Sequence, residues 1–332
     1  MSIGTEDTMA RIPHHLTLSS ILAATAALFS ACDGANPDVN GEALVLPGEA
    51  FHPEGLAFDA AGNLYIGSVG TGEVVRLRPE ADEVEAFVPA GSGDMSSVVG
   101  LVVDEEAELL WACSADPHFE KVNALKSFDL ATGEALDSFE LPGAKGICND
   151  LVQDPDGNLY VTDSMTGRIL RLPVGGTALE VWSEDPVFAD KLLPFMFSAN
   201  GADYHAPTHS LYVVSTYDGA LYRVALRPDG GAEQPIRVAL DRKLVSPDGL
   251  RVYDDDTLLV VEGTGLTRVR LDGDAGAVEV ITEGMEDPSG LIVDGVHAWV
   301  AEGQVGRLVG YDWSAKVLPF RLWRVAVEDE GA

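Results

Sequence analysis

The sequence predicts an all-β chain folded as a six-bladed β-propeller, with four-stranded antiparallel blades around a central channel. Three observations carry that prediction. Similar text recurs six times, with equivalent positions 45, 50, 51, 48 and 41 residues apart. Each copy continues into a third and a fourth short strand, and four strands per unit of this length is the pattern of a propeller blade. After residue 32 no stretch has convincing helical periodicity, Val187–Phe197 being the one candidate.

Taken in order, the chain opens with targeting text. Met9 is a plausible start, followed by Arg11, His14 and His15 and by an apolar run, Leu16–Phe29, too short to span a bilayer comfortably. The run ends in Phe29-Ser30-Ala31-Cys32, which resembles a bacterial lipoprotein signal with the cysteine as acylated N-terminus. Residues 1–32 therefore read as a signal peptide, 33–42 as a tether and 43–332 as the propeller. An exported protein of the bacterial cell envelope follows, lipid-anchored and periplasmic or at the surface, or otherwise secreted, meeting the membrane only through an anchor on Cys32. With 54 acidic against 21 basic residues the formal charge is -33, which excludes the basic footprint of nucleic-acid binding. A monomer is expected.

The third repeat is the clearest. Gly146–Ser164 reads as two strands joined by Pro155-Asp156-Gly157-Asn158, with the β-branched and aromatic run Leu159-Tyr160-Val161-Thr162 after the turn. Its sisters begin at PEGLAFD (Pro53–Asp59), VGLVVD (Val99–Asp104), NGADY (Asn200–Tyr204), PDGLRV (Pro247–Val252) and PSGLIVD (Pro288–Asp294). Ala43–Gly48 has the text of a fourth strand but precedes the first repeat, so it is expected to complete the sixth blade. The competing closure uses Phe320–Val327 as that blade's outer strand. Cys113 and Cys148 sit in strand-like apolar text; a disulfide is allowed in an oxidising compartment, but buried free thiols are the favoured reading.

First strands line the channel of a propeller, so their equivalent positions converge. That column reads Glu54, Val99, Asn149, Asn200, Asp248 and Ser289. A packing column would be apolar throughout, as Val99 is. Instead Glu54, Asn149, Asn200 and Asp248 are hard oxygen donors, and two buried carboxylates call for a compensating charge. Ca2+, with six to eight oxygen ligands, suits them better than Mg2+, and no Cys/His pattern supports zinc. Other divalent cations remain open.

Glu in PEGLAFD, Asn in CNDLVQDPDGNLY, Asn in ANGADY and Asp in PDGLRV together resemble the senescence-marker-protein/gluconolactonase (regucalcin) superfamily, and are similar also to diisopropyl-fluorophosphatase and, more distantly, the paraoxonases. The likeness covers Ala43–Val327. It implies a catalytic Ca2+ held by Glu54, Asn149, Asn200 and Asp248, and hydrolysis of a lactone or related ester as small-molecule substrate. Asp248 would be base or nucleophile, with Asp150 as an alternative base. The sequence departs from the gluconolactonases at Ile147, where they carry a sugar-holding arginine. That favours a more apolar substrate and leaves open a non-catalytic exported propeller, binding a ligand or a protein with a structural Ca2+.

Other suggestive residues have simpler readings. His118 reads as a surface histidine, His205 and His209 flank a turn, and His297 opens a strand. Asp154–Gly157 and Asp254–Asp256 fall at hairpin turns and lack EF-hand spacing. The tryptophans lie mostly in strands.

Overall fold

The computed structural model describes residues 39–327 except 144, 189–197 and 311. The signal text, Cys32 and most of Val187–Phe197 lie outside the described residues; Val187 and Phe188 belong to a turn. The described chain forms six antiparallel sheets in ring order, as the repeats require. Their innermost strands are Pro53–Phe58, Leu101–Asp104, Cys148–Gln153, Ala199–His205, Leu250–Val252 and Leu291–Val293. Blade 5 departs slightly, because Ala239–Leu240 joins its edge as a fifth, parallel strand.

Sequence text becomes blade through alternation of side chains along each strand. Tyr65 packs toward blade 2 with Phe87 and Met95, whereas its neighbours Leu64 and Ile66 pack toward blade 6 with Phe320 and Leu322. Tyr160, likewise, faces blade 4 while Leu159 and Val161 face blade 2. Both faces of each inner sheet are therefore covered, which is why strands such as Leu211-Tyr212-Val213-Val214 are apolar without interruption. The hairpin turns behave as turns: Asp59 accepts from the Asn63 amide at 2.7 Å and the Tyr65 hydroxyl at 3.0 Å. Asp154 does the same for Asn158 at 2.9 Å and Tyr160 at 3.0 Å.

Closure uses both chain ends. Blade 6 runs Leu291–Val293, His297–Ala301, Arg321–Ala326 and finally Glu42–Val45, with Ala43 opposite Trp323. The N-terminal strand is thus outermost, and Arg321–Ala326 is the third strand rather than the outer one. The free-thiol reading of the cysteines is corrected. Cys113 and Cys148 form a disulfide, their Cα atoms 5.2 Å apart. Cys113 is the last residue but one of the second strand of blade 2 and Cys148 opens the first strand of blade 3, so adjacent blades bring the two together.

Candidate active site

The column predicted from the repeats sits on a recurrent backbone irregularity. In blades 1, 3 and 4 the register slips at Glu54–Gly55, Asn149–Asp150 and Asn200–Gly201, so two residues oppose one. The other blades do the same through hydrogen bonds. Val261 accepts from the Asp248 amide and donates to the Gly249 carbonyl, each at 2.9 Å, and Ala301 and Cys113 treat Ser289–Gly290 and Val99–Gly100 alike. A bulge re-aims the side chain at its first position. The residue after the column is glycine in five blades because the next blade is too close for anything larger. A Cβ on Gly55, Gly100 or Gly249 would stand 2.6–2.7 Å from the backbone oxygen of Val99, Asn149 or Ser289, and Gly201 and Gly290 are tighter still against Asp248 and Glu54. Blade 3 alone has a side chain there, Asp150.

These bulges bring all four predicted acceptors together. Glu54, Asn149, Asn200 and Asp248 line one small cavity of about 20 Å³, with Asp150, Arg251 and Ser289. Glu54, Asn149 and Asn200 are buried and Asp248 is half-buried. The Asn200 amide nitrogen donates to Thr216 Oγ1 at 2.9 Å, and that hydroxyl in turn donates to the Pro247 carbonyl at 2.7 Å. The chain of donors fixes the amide's orientation and leaves Asn200 Oδ1 buried with no hydrogen-bond partner. Glu54 Oε2 is in the same condition. Buried polar atoms are nearly always partnered, so two orphans in one column are the kind of donors that would hold a cation of oxygen-loving character. Among the described residues no three Asp, Glu, His or Cys side chains form a metal cluster by themselves. Any cation here would need the two amide oxygens.

The electrostatics agree with that donor set. Burial, then the charges of Asp248, Asp150 and Asp287, pushes the Glu54 carboxyl well above the usual carboxylate range. Burial followed by Asp287 and Asp150 pushes Asp248 up to about 8. Both shifts disfavour the charged carboxylates, which a bound cation would favour.

Asp150, the alternative base, is engaged on both oxygens. Oδ2 accepts from the Ala202 amide at 3.1 Å and from Arg251 at 2.8 Å; Oδ1 accepts from the Leu151 amide at 2.9 Å and from Arg251 at 3.3 Å. Sequence reasoning missed two residues. Arg251 lies three positions after Asp248. Asp287, two before Ser289, holds a left-handed φ of 47°, and its charge is the strongest influence after burial raising the Asp248 carboxyl. His52 and Ser246, two before Glu54 and Asp248, share that backbone state, a recurrence legible only after folding. Ile147 is buried and its amide donates to Asp163 Oδ1 at 3.0 Å. His118 is exposed.

Comparison with known proteins bears on the fold and on the class of relatives. The strictosidine synthase-like N-terminal family matches residues 39–77. A lactonase, drp35 of Staphylococcus aureus, is 25% identical over 213 residues, 62% of this chain and 62% of that one. The match thus spans less than two thirds of the relative's length. The solved gluconolactonase of Xanthomonas campestris is 20% identical with a TM-score of 0.61, covering 90% of this chain and 93% of that one. Virginiamycin B lyase of Staphylococcus aureus is 13% identical with a TM-score of 0.57, covering 88% and 100%. At such identities the two structures speak for the fold, which evidently serves more than one chemistry. By its repeats and its sheet order the chain is a six-bladed β-propeller, similar in sequence to a lactonase and in fold to a gluconolactonase.

Proposed function

We propose that the protein is a Ca2+-dependent hydrolase of lactones or related esters, with its reaction centre at the bulge column. The observation that carries the reading is the pair of buried, unpartnered oxygens, Glu54 Oε2 and Asn200 Oδ1, among four acceptors at one repeat-equivalent position. The similarity to a lactonase supports the choice of reaction.

Glu54, Asn149, Asn200 and Asp248 would hold the cation, which when bound supplies Lewis acidity toward a carbonyl oxygen. Asp248 would take a proton from the attacking water as the new C–O bond forms. It would return that proton to the leaving oxygen as the ester bond breaks, so a lactone yields its hydroxy acid. Asp150 is the weaker base candidate because Arg251 and two backbone amides occupy its oxygens. Ile147, packed where gluconolactonases carry an arginine, favours a ring with an apolar substituent over a sugar lactone. It is also the observation behind a second reading, a binding propeller with a structural cation.

The protein is taken as exported and lipid-anchored at Cys32. The Cys113–Cys148 disulfide supports an oxidising compartment.

A panel of lactones and aryl esters tests the activity. Turnover is expected from wild type with Ca2+, loss on chelation, and a loss of about 10²-fold or more in Asp248→Asn. Turnover surviving both treatments would overturn the mechanism. Cation binding without turnover of any substrate would favour the second reading.

A further inference from the structure

Asp150 breaks a rule that the other five blades keep. Where they place glycine against the next blade, blade 3 places a carboxylate. At the next two junctions a backbone bond links neighbouring inner strands, Gly201 N–H to the Asp248 carbonyl at 3.0 Å and Gly249 N–H to the Ser289 carbonyl at 2.9 Å. The Asp150 amide instead turns back into its own blade, donating to Thr162 Oγ1 at 3.0 Å. Its carboxylate makes the crossing, reaching the Ala202 amide of blade 4 and the guanidinium of Arg251 in blade 5. The Arg251 side chain is only 12% exposed and also donates to the Ala202 carbonyl at 3.3 Å and the Leu250 carbonyl at 2.6 Å. One ion pair therefore ties three blades. Its anchor points lie one residue from Asn149, two from Asn200 and three from Asp248.

A buried ion pair is weak evidence for stability, since apolar packing of equal volume does as well or better. What an apolar pair would not provide is a fork of fixed geometry, planar and bidentate, beside the column. We infer that Arg251, acting through Asp150, is a positioning residue that sets the spacing of Asn149, Asn200 and Asp248 for a hard divalent cation. This rests on the cation reading above and concerns no ligand of it.

Charge and position make opposite demands, and that makes the inference testable. Removing the guanidinium leaves the site more negative, so electrostatics alone predicts tighter cation binding. Loss of spacing predicts weaker binding. Calorimetric titration of Ca2+ into wild type, Arg251→Met and Arg251→Lys decides between them. Arg251→Met is expected to bind at least about 10-fold more weakly, and Arg251→Lys, which keeps the charge and loses the fork, to fall between. With Tb3+ in place of Ca2+, luminescence lifetimes in H2O and D2O should report at least one additional bound water in Arg251→Met. Equal or tighter binding with an unchanged water count overturns the inference. If Arg251→Met does not fold, Arg251→Lys carries the same test, and wild-type affinity in it is the contrary result. A wild type that binds no cation overturns the cation reading and this inference together, whereas binding in wild type with unchanged binding in the variants overturns positioning alone.

Discussion

Asp248 is a carboxylate in surroundings that disfavour its charge. Burial and the neighbouring Asp287 and Asp150 keep its proton until about pH 8, whereas in the unfolded chain the proton leaves near the ordinary value of about 3.9. Between those values the folded state binds the extra proton, so stability without a cation falls as pH rises through that window. Glu54 acts in the same direction. On the proposed reading a cation would replace those protons, and its stabilising effect should grow with pH. Thermal unfolding at pH 5 and pH 8, with and without Ca2+, checks this: the rise in midpoint on adding Ca2+ is expected to be larger at pH 8. A pH-independent rise would contradict the account. These four ligand candidates were legible as text because a packing column has no use for Glu, Asn, Asn and Asp. Arg251 and Asp287 were not, since their partners are set by bulges and by a left-handed backbone that the repeat alignment does not display.

Among the elements, strand order was legible and edge pairing was less so. The N-terminal strand could be assigned because Ala43–Leu46 copies the text of other fourth strands, and it does close blade 6. Phe320–Val327 was ambiguous because an apolar strand reads alike in third and fourth place. The disulfide was misjudged for a related reason. Cys113 and Cys148 each look like core residues of their own strand, and only the packing of blade 2 against blade 3 sets their Cα atoms 5.2 Å apart. The bridge fastens the backbone immediately before Asn149 and that of Cys113, which hydrogen-bonds both Val99 and Gly100. Closing a loop of 35 residues should stabilise the fold by about 3–4 kcal/mol through the unfolded state. Cys113→Ala/Cys148→Ala is expected to lose that much in denaturant unfolding, and a loss below about 1 kcal/mol would mean that the bridge is dispensable.

For the whole molecule, the ring is what turns four scattered residues into one site. Each bulge abuts the next, through a glycine at five junctions and through the Asp150 carboxylate between blades 3 and 4, and Gly290 on the Glu54 backbone closes the circle. Packing clusters between successive blades hold the circle shut on itself. The formal charge of -33 favours cations near the surface in general, so weak binding elsewhere has to be distinguished from the column. Titration of Ca2+ into metal-stripped wild type and Asp248→Asn at pH 8 and moderate salt does so most directly. One tight site is expected in wild type, with affinity at least about 10²-fold weaker in Asp248→Asn. No tight site, or an equal one in the variant, would contradict the claim that the column is a cation centre.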